Sequence, residues 1–271
     1  MKIKIVHEII DLHFLYESEY EDFFTSYKVE EGVPRFYINQ ATYAEDSDKG
    51  DLKITSRNYH LYVKKGEETQ YQWYGEEGVY EGKIVYGKTN FSFSVKDPHD
   101  VKKALVLLQY IVTRILSESN DCILMNGSAF YLNGKGYLLT GSYLDERKEL
   151  LDQFLSKSAV VINDVRNYLV KENGVVNIYG SPWSEDKTMN NNVIVPLTYI
   201  ITIMKGKDTY FEKLEKRDAF LKLMSEIVTI QTDDIEKWNR VIDEIFNVDC
   251  YLLIGKNSKV FYSEIKKNLL S

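Results

Sequence analysis

Residues 137–154 read YLLTGSYLDERKELLDQF. An apolar run, a glycine and an amphipathic run in that order describe a buried strand turning into a helix. That is the setting in which backbone N–H groups and a helix N-terminus hold a phosphate. The full chemistry needs glycines for close backbone approach, a lysine for the outer phosphates and a Ser or Thr hydroxyl for Mg²⁺. With the pattern G-x-x-x-x-G-K-[ST] laid from Gly141, Glu146 falls on the second glycine, Arg147 on the lysine and Lys148 on the metal-binding hydroxyl. Gly141, Ser142, Arg147 and Lys148 are therefore the candidate nucleotide-contacting residues. Each departure has a physical cost. Glu146 and Asp145 place negative charge at a helix start that would otherwise attract an anion. Arg147 keeps a positive charge without the compact ammonium. Lys148 offers no metal ligand and puts a cation where Mg²⁺ would be. On spacing alone, an ordinary strand-to-helix turn explains the segment better than a working nucleotide site.

A second candidate lies further on. The apolar run AVVIND ends in Asp164, placed after a helix as an acidic base or metal residue beside such a loop would be. A lone aspartate at a strand end is also an ordinary turn or cap residue. The loop GSPW follows at Gly180–Trp183, for which a rigid packed loop is the simpler reading. The four histidines, His7, His13, His60 and His99, precede this region and have no metal-ligand spacing, so no metal site is expected. A serine hydrolase is excluded, because no G-x-S-x-G is present and no histidine follows the core serines. Cys122 and Cys250 lie in apolar runs and read as reduced core thiols of a cytoplasmic protein.

The elements that must position these residues follow from the patterning. The chain has 271 residues, 44% hydrophobic, with a net charge of -7. It can bury a large core, and it lacks the basic footprint of a nucleic-acid binder. No apolar run is long enough to span a membrane, so no membrane partner is expected. Residues 1–96 alternate through KIKIV, YHLYV, TQYQWYG and NFSFSV, and predict a β-rich region, a meander or curved antiparallel sheet. The 21 tyrosines suit half-buried strands. A buried helix follows, capped by Asp97 with Pro98 in its first turn. From Cys122 the chain reads as strands CILMNG, SAFYL and KGYLLTG, a helix at 145–156, the strand AVVIND, a hairpin turned at Glu172-Asn173-Gly174 and the strand VIVPLTYIITIM. Helices are predicted at 209–228, 233–246 and 257–269, with CYLLIG as a strand between the last two. The class is α+β: a β-rich region 1–96 joined to a core, 97–271, of mixed sheet and helices.

The ordered set ILMNGSAFYLNGKGYLLTGS, INDVRNYLVKENGVVNIYGSPW and VPLTYIITIMKG resembles the HPr kinase/phosphorylase-like family, whose fold is shared with phosphoenolpyruvate carboxykinases. The resemblance covers residues 120–228. It implies a P-loop core, ATP as the cofactor, proton transfer or metal binding at Asp164, and possible homo-oligomers. The departures gather at the catalytic positions. Glu146, Arg147 and Lys148 replace the loop glycine, lysine and serine, Asn126 replaces a histidine, and Asn163 replaces the first aspartate of a pair. Three readings stay open: a degenerate kinase-like protein that binds a peptide or small protein, a divergent ATP-dependent kinase acting on a serine of a small protein or ribosomal peptide precursor, and an unrelated enzyme or structural subunit.

Overall fold

The computed structural model describes residues 1–44, 48–55, 59–66, 68–141, 144–228 and 235–270. The chain divides into two compact units, Met1–Thr113 and Arg114–Ser271.

In the first unit, alternating sequences form strands as expected. They are β1 (Lys2–Ile5), β2 (Glu8–His13), β3 (Phe36–Gln40), β4 (Asp51–Thr55), β5 (Tyr59–Lys65), β6 (Thr69–Gly75), β7 (Tyr80–Tyr86) and β8 (Asn90–Val95), with a short helix α1 (Glu21–Phe24) between β2 and β3. Along β7, Tyr80, Gly82, Ile84 and Tyr86 are buried while the residues between them are not, the period-two signature of a one-sided sheet. The strand order is β1-β2-β3-β8-β7-β6-β5-β4. It is not a purely antiparallel meander. β2 pairs parallel with β3, and β3 parallel with β8, so the sheet is mixed.

Helix α2 (Val101–Ser119) follows. It begins later than Asp97 and Pro98 suggest. Asp97 Oδ1 accepts the His99 N–H at 3.0 Å in a turn, and Asp100 Oδ1 caps the helix through the Lys103 N–H at 3.1 Å. Ala104, Leu108, Ile111, Val112 and Leu116 are buried, as its wide apolar face requires.

The second unit is built from β9 (Cys122–Asn126), β10 (Ser128–Leu132), β11 (Lys135–Thr140), α3 (Leu144–Leu155), β12 (Val160–Asn163), β13 (Arg166–Glu172), β14 (Val175–Tyr179), β15 (Ile194–Lys205), β16 (Tyr210–Lys213), α4 (Lys216–Met224), β17 (Ile227–Val228), α5 (Ile235–Ile245), β18 (Asp249–Gly255) and α6 (Ser258–Leu269). The hairpin β13–β14 turns at Asn173 and Gly174, both at positive φ. Strand β15 is the seam. It pairs parallel with β11 on one side, and on the other antiparallel with β14 and then parallel with β18. One face of the sheet packs Leu138, Ile200 and Cys250 against Ala219 and Leu223 of α4 and Val241 and Ile245 of α5. The other packs Tyr137, Leu139 and Ile201 against Leu150 and Phe154 of α3 and Phe261 and Ile265 of α6. Two helical layers therefore enclose the sheet, giving the expected α+β class.

Residues 209–228 are not one helix. Tyr210–Lys213 pairs antiparallel with β18, Phe211 facing Leu253, and only Lys216–Met224 is helical. Residues 233 and 234 of the helix expected at 233–246 lie outside the described residues, and the remainder forms α5.

Candidate functional site

The parallel strands β15 and β18 end together at Lys205 and Gly255, while β11 ends earlier, opposite Thr202, and the chain leaves it through Gly141. Crevices at such carboxyl ends are where open sheets bind ligands. Gly141 is fixed here by geometry. Its φ is +106°, and a Cβ would fall 2.3 Å from the Ile203 carbonyl oxygen of β15. Ser142 and Tyr143 lie outside the described residues. Helix α3 opens with Asp145 and Glu146 in its first turn. Glu146 is ion-paired with Lys205 at the end of β15, which holds its carboxyl below the usual range.

Arg147, one turn into α3, is 5% exposed. Its Nη1 donates to the Gly141 carbonyl oxygen at 2.6 Å. Burial lowers its pKa, and the carboxylates of Glu226, Asp164 and Glu185 oppose that shift. The guanidinium points back into the protein, bound to the loop's own backbone.

Lys148, the next residue, turns to the other flank. Its Nζ lies 2.9 Å from Glu185 Oε2 and 3.8 Å from Asp164 Oδ2. The Glu185 hydrogen bond raises its pKa. Asp164 follows β12 and is fully buried. Its Oδ1 accepts the Ser184 hydroxyl, and its Oδ2 accepts the Asp186 N–H at 3.4 Å. Burial raises the Asp164 pKa, while Ser184 and Lys148 pull it down. The structure therefore gathers Gly141, Arg147, Lys148 and Asp164 in one charged cluster.

Asn163 and the Gly180–Trp183 loop have structural partners. Asn163 Nδ2 donates to the Ser181 carbonyl at 2.7 Å, and its Oδ1 accepts the N–H groups of Val165 and Arg166, both at 2.8 Å. This is an Asx-type turn, and it aims the following Asp164. Trp183 Nε1 donates to Tyr168 Oη at 2.8 Å inside the core. Asn126 accepts from Arg166 Nε at 3.3 Å.

Two acids were not anticipated from the sequence. Glu226 is held beside β9 by a bond from the Asn126 N–H to its carbonyl at 2.7 Å. Burial raises its carboxyl pKa, while Arg147 and the Gly141 N–H stabilise the ionised form. Glu185 closes the cluster from the Gly180–Trp183 side. Neither belongs to a local motif, and only the β9–β17 pairing brings Glu226 to the loop.

A nucleotide with Mg²⁺ is what the sequence resemblance implies. The residues do not fit that pair. The cation at the lysine position faces inward, the hydroxyl position carries an ammonium, and both Asp164 oxygens already accept hydrogen bonds. Among the described residues, no three His, Cys, Asp or Glu side chains are grouped to hold a metal ion. No helix among them is long and apolar enough to cross a membrane.

No family model and no curated protein matches the sequence. Among solved structures the chain is similar to the HPr(Ser) kinase/phosphatase from Coxiella burnetii, with a TM-score of 0.34 and 8% identity over 54% of this chain and 90% of that one. A likeness of that size assigns neither ligand nor activity to this chain.

Proposed function

We propose that this chain is a degenerate HPr kinase-like protein that lacks efficient phosphoryl transfer and acts by binding a peptide or small protein. One observation carries the first half: the cations at the loop are already used by the protein. Arg147 binds the Gly141 carbonyl, and Lys148 pairs with Glu185 and Asp164. Phosphoryl transfer depends on charges presented to the phosphates and the metal. Charges bound internally are not presented. The second half is supported by the outer face of α4, where Phe220, Leu221 and Met224 are exposed, Leu221 at 63%. The Phe220 ring lies 5.6 Å from that of Phe246, which with Ala219 borders a cavity of about 410 Å³ whose wall also carries Lys213, Glu215, Lys216 and Asp249. Exposed apolar residues grouped on one helix face favour a protein partner.

The alternative reading is a divergent ATP-dependent kinase acting on a serine. Its support is Asp164, whose raised pKa suits a general base. Calorimetry with ATP and GTP, with and without Mg²⁺, on wild type and Arg147→Ala separates the two. The degenerate reading expects no metal-dependent binding at millimolar nucleotide. Metal-dependent binding that Arg147→Ala abolishes, with transfer to serine peptides, would establish the kinase. For the partner, the same reading expects a captured peptide to be lost on Leu221→Glu with Met224→Glu.

A further inference from the structure

We infer that the Lys148 ammonium is a built-in counter-ion occupying the cation position between Asp164 and Glu185, so that this chain keeps one charge state there whatever the supply of divalent metal. The inference rests on the reading that phosphoryl transfer has been lost, and it says what replaced one of its parts.

The geometry is that of a cation site with a side chain in it. Asp164 is fully buried, and an ionised carboxylate removed from water needs a compensating charge. Lys148 provides it from 3.8 Å, with its side chain 30% exposed. Glu185, 57% exposed, approaches the same nitrogen at 2.9 Å. One ammonium thus bridges a buried carboxylate and a surface one. An ammonium has three donors and tolerates uneven distances. Mg²⁺ instead demands about six oxygens in near-octahedral order at roughly 2.0–2.1 Å. Two carboxylates, one of them already accepting from Ser184 and the Asp186 N–H, supply only part of that set and would leave the rest to water. A divalent ion would also face Lys148 as a like charge. Lys148 is thus the residue that excludes it.

The same contact closes the loop. Glu185 and Asp186 belong to the segment that follows Trp183, and both reach the Lys148–Asp164 pair. The ion pair ties that segment to α3, and Asp164 is shut beneath it.

Mn²⁺ is the probe, measured by the loss of its free electron paramagnetic resonance signal and by calorimetry on the full chain. Wild type, Asp164→Asn, Lys148→Met and the double variant Lys148→Met with Asp164→Asn are compared. Wild type is expected to hold no Mn²⁺ that Asp164→Asn removes. Lys148→Met is expected to bind one Mn²⁺ at least tenfold more tightly than wild type, and the double variant to lose that gain. The Tm of Lys148→Met should rise with Mn²⁺, while that of wild type ignores both Mn²⁺ and chelator. If Lys148→Met folds only when refolded with Mn²⁺, the inference is supported; if Mn²⁺ does not restore it, the inference fails. It also fails if wild type binds Mn²⁺ through Asp164, or if folded Lys148→Met gains no affinity. Failure in Lys148→Met leaves the proposed function standing. Nucleotide binding and transfer by wild type would sink the proposed function whatever Lys148→Met does.

Discussion

Arg147 and Lys148 are consecutive on α3 and are both cations, yet they solve different problems. Arg147 is inside, where a guanidinium stays charged: its Nη1 serves the Gly141 carbonyl, and its charge is balanced through space by the carboxylates of Glu226, Asp164 and Glu185. Replacing it with an apolar side chain leaves Glu226 without its cation, while Asp164 keeps Lys148. Arg147→Met is therefore expected to lower stability by about 3 kcal/mol in urea titration. The double variant with Glu226→Gln should lose less than the two single variants added together, because they share one interaction. Glu226 also predicts a pH dependence. Burial raises its folded pKa above the unfolded value of about 4.3. The native state then binds more protons than the unfolded state, so this group favours the fold at low pH. That contribution is lost as pH rises from about 4 through the folded pKa. The stability of Glu226→Gln minus that of wild type should increase across that window. A flat difference in pH-resolved denaturation would mean that the Glu226 pKa is not raised.

The turn after β11 is the element on which the cluster depends. Gly141→Ala forces an alanine into positive φ and drives its Cβ against the Ile203 carbonyl. The backbone term alone costs about 1–3 kcal/mol. Chemical denaturation should register at least that loss, together with a weakened Arg147 contact. Elements with strong local signals were legible in the sequence. The hairpin at Asn173-Gly174, the buried α2 and the β11-to-α3 turn all follow from composition and period. The strand β16 did not. TYFEKLEKRDAFLKLMSEI is rich in helix formers, and what makes Tyr210–Lys213 a strand is its pairing with β18, some forty residues on in the chain. The parallel pairings of β2 with β3 and β3 with β8 were hidden for the same reason, since local alternation does not encode the direction of a partner. At the site, sequence spacing gathered Gly141, Arg147, Lys148 and Asp164. It could not say that Arg147 faces inward, because Glu226 reaches the loop only through tertiary structure.

Across the molecule the two thiols report on folding as a whole. Cys122 on β9 and Cys250 on β18 are both buried. Burial pushes the Cys250 thiol up to about 12 and raises that of Cys122 as well. Thiolate is the reactive form, so a disulfide reagent such as DTNB should release no thiol equivalents from the native protein and two after unfolding in guanidinium. Reaction of either thiol under native conditions would show that its strand opens locally. The seam strand β15 has a kinetic consequence. Its parallel partners β11 and β18 lie far from it in sequence, one before and one after, and neither can be reached by a tight turn. Closing such long loops costs entropy before any contact compensates, and topologies of this kind fold slowly. Refolding should therefore run on a timescale of milliseconds to seconds, with the β13–β14 hairpin forming well before the strands on either side of β15 are joined. Until that happens, the edges of β15 are open to strands of other chains, and the yield of refolding should fall as protein concentration rises.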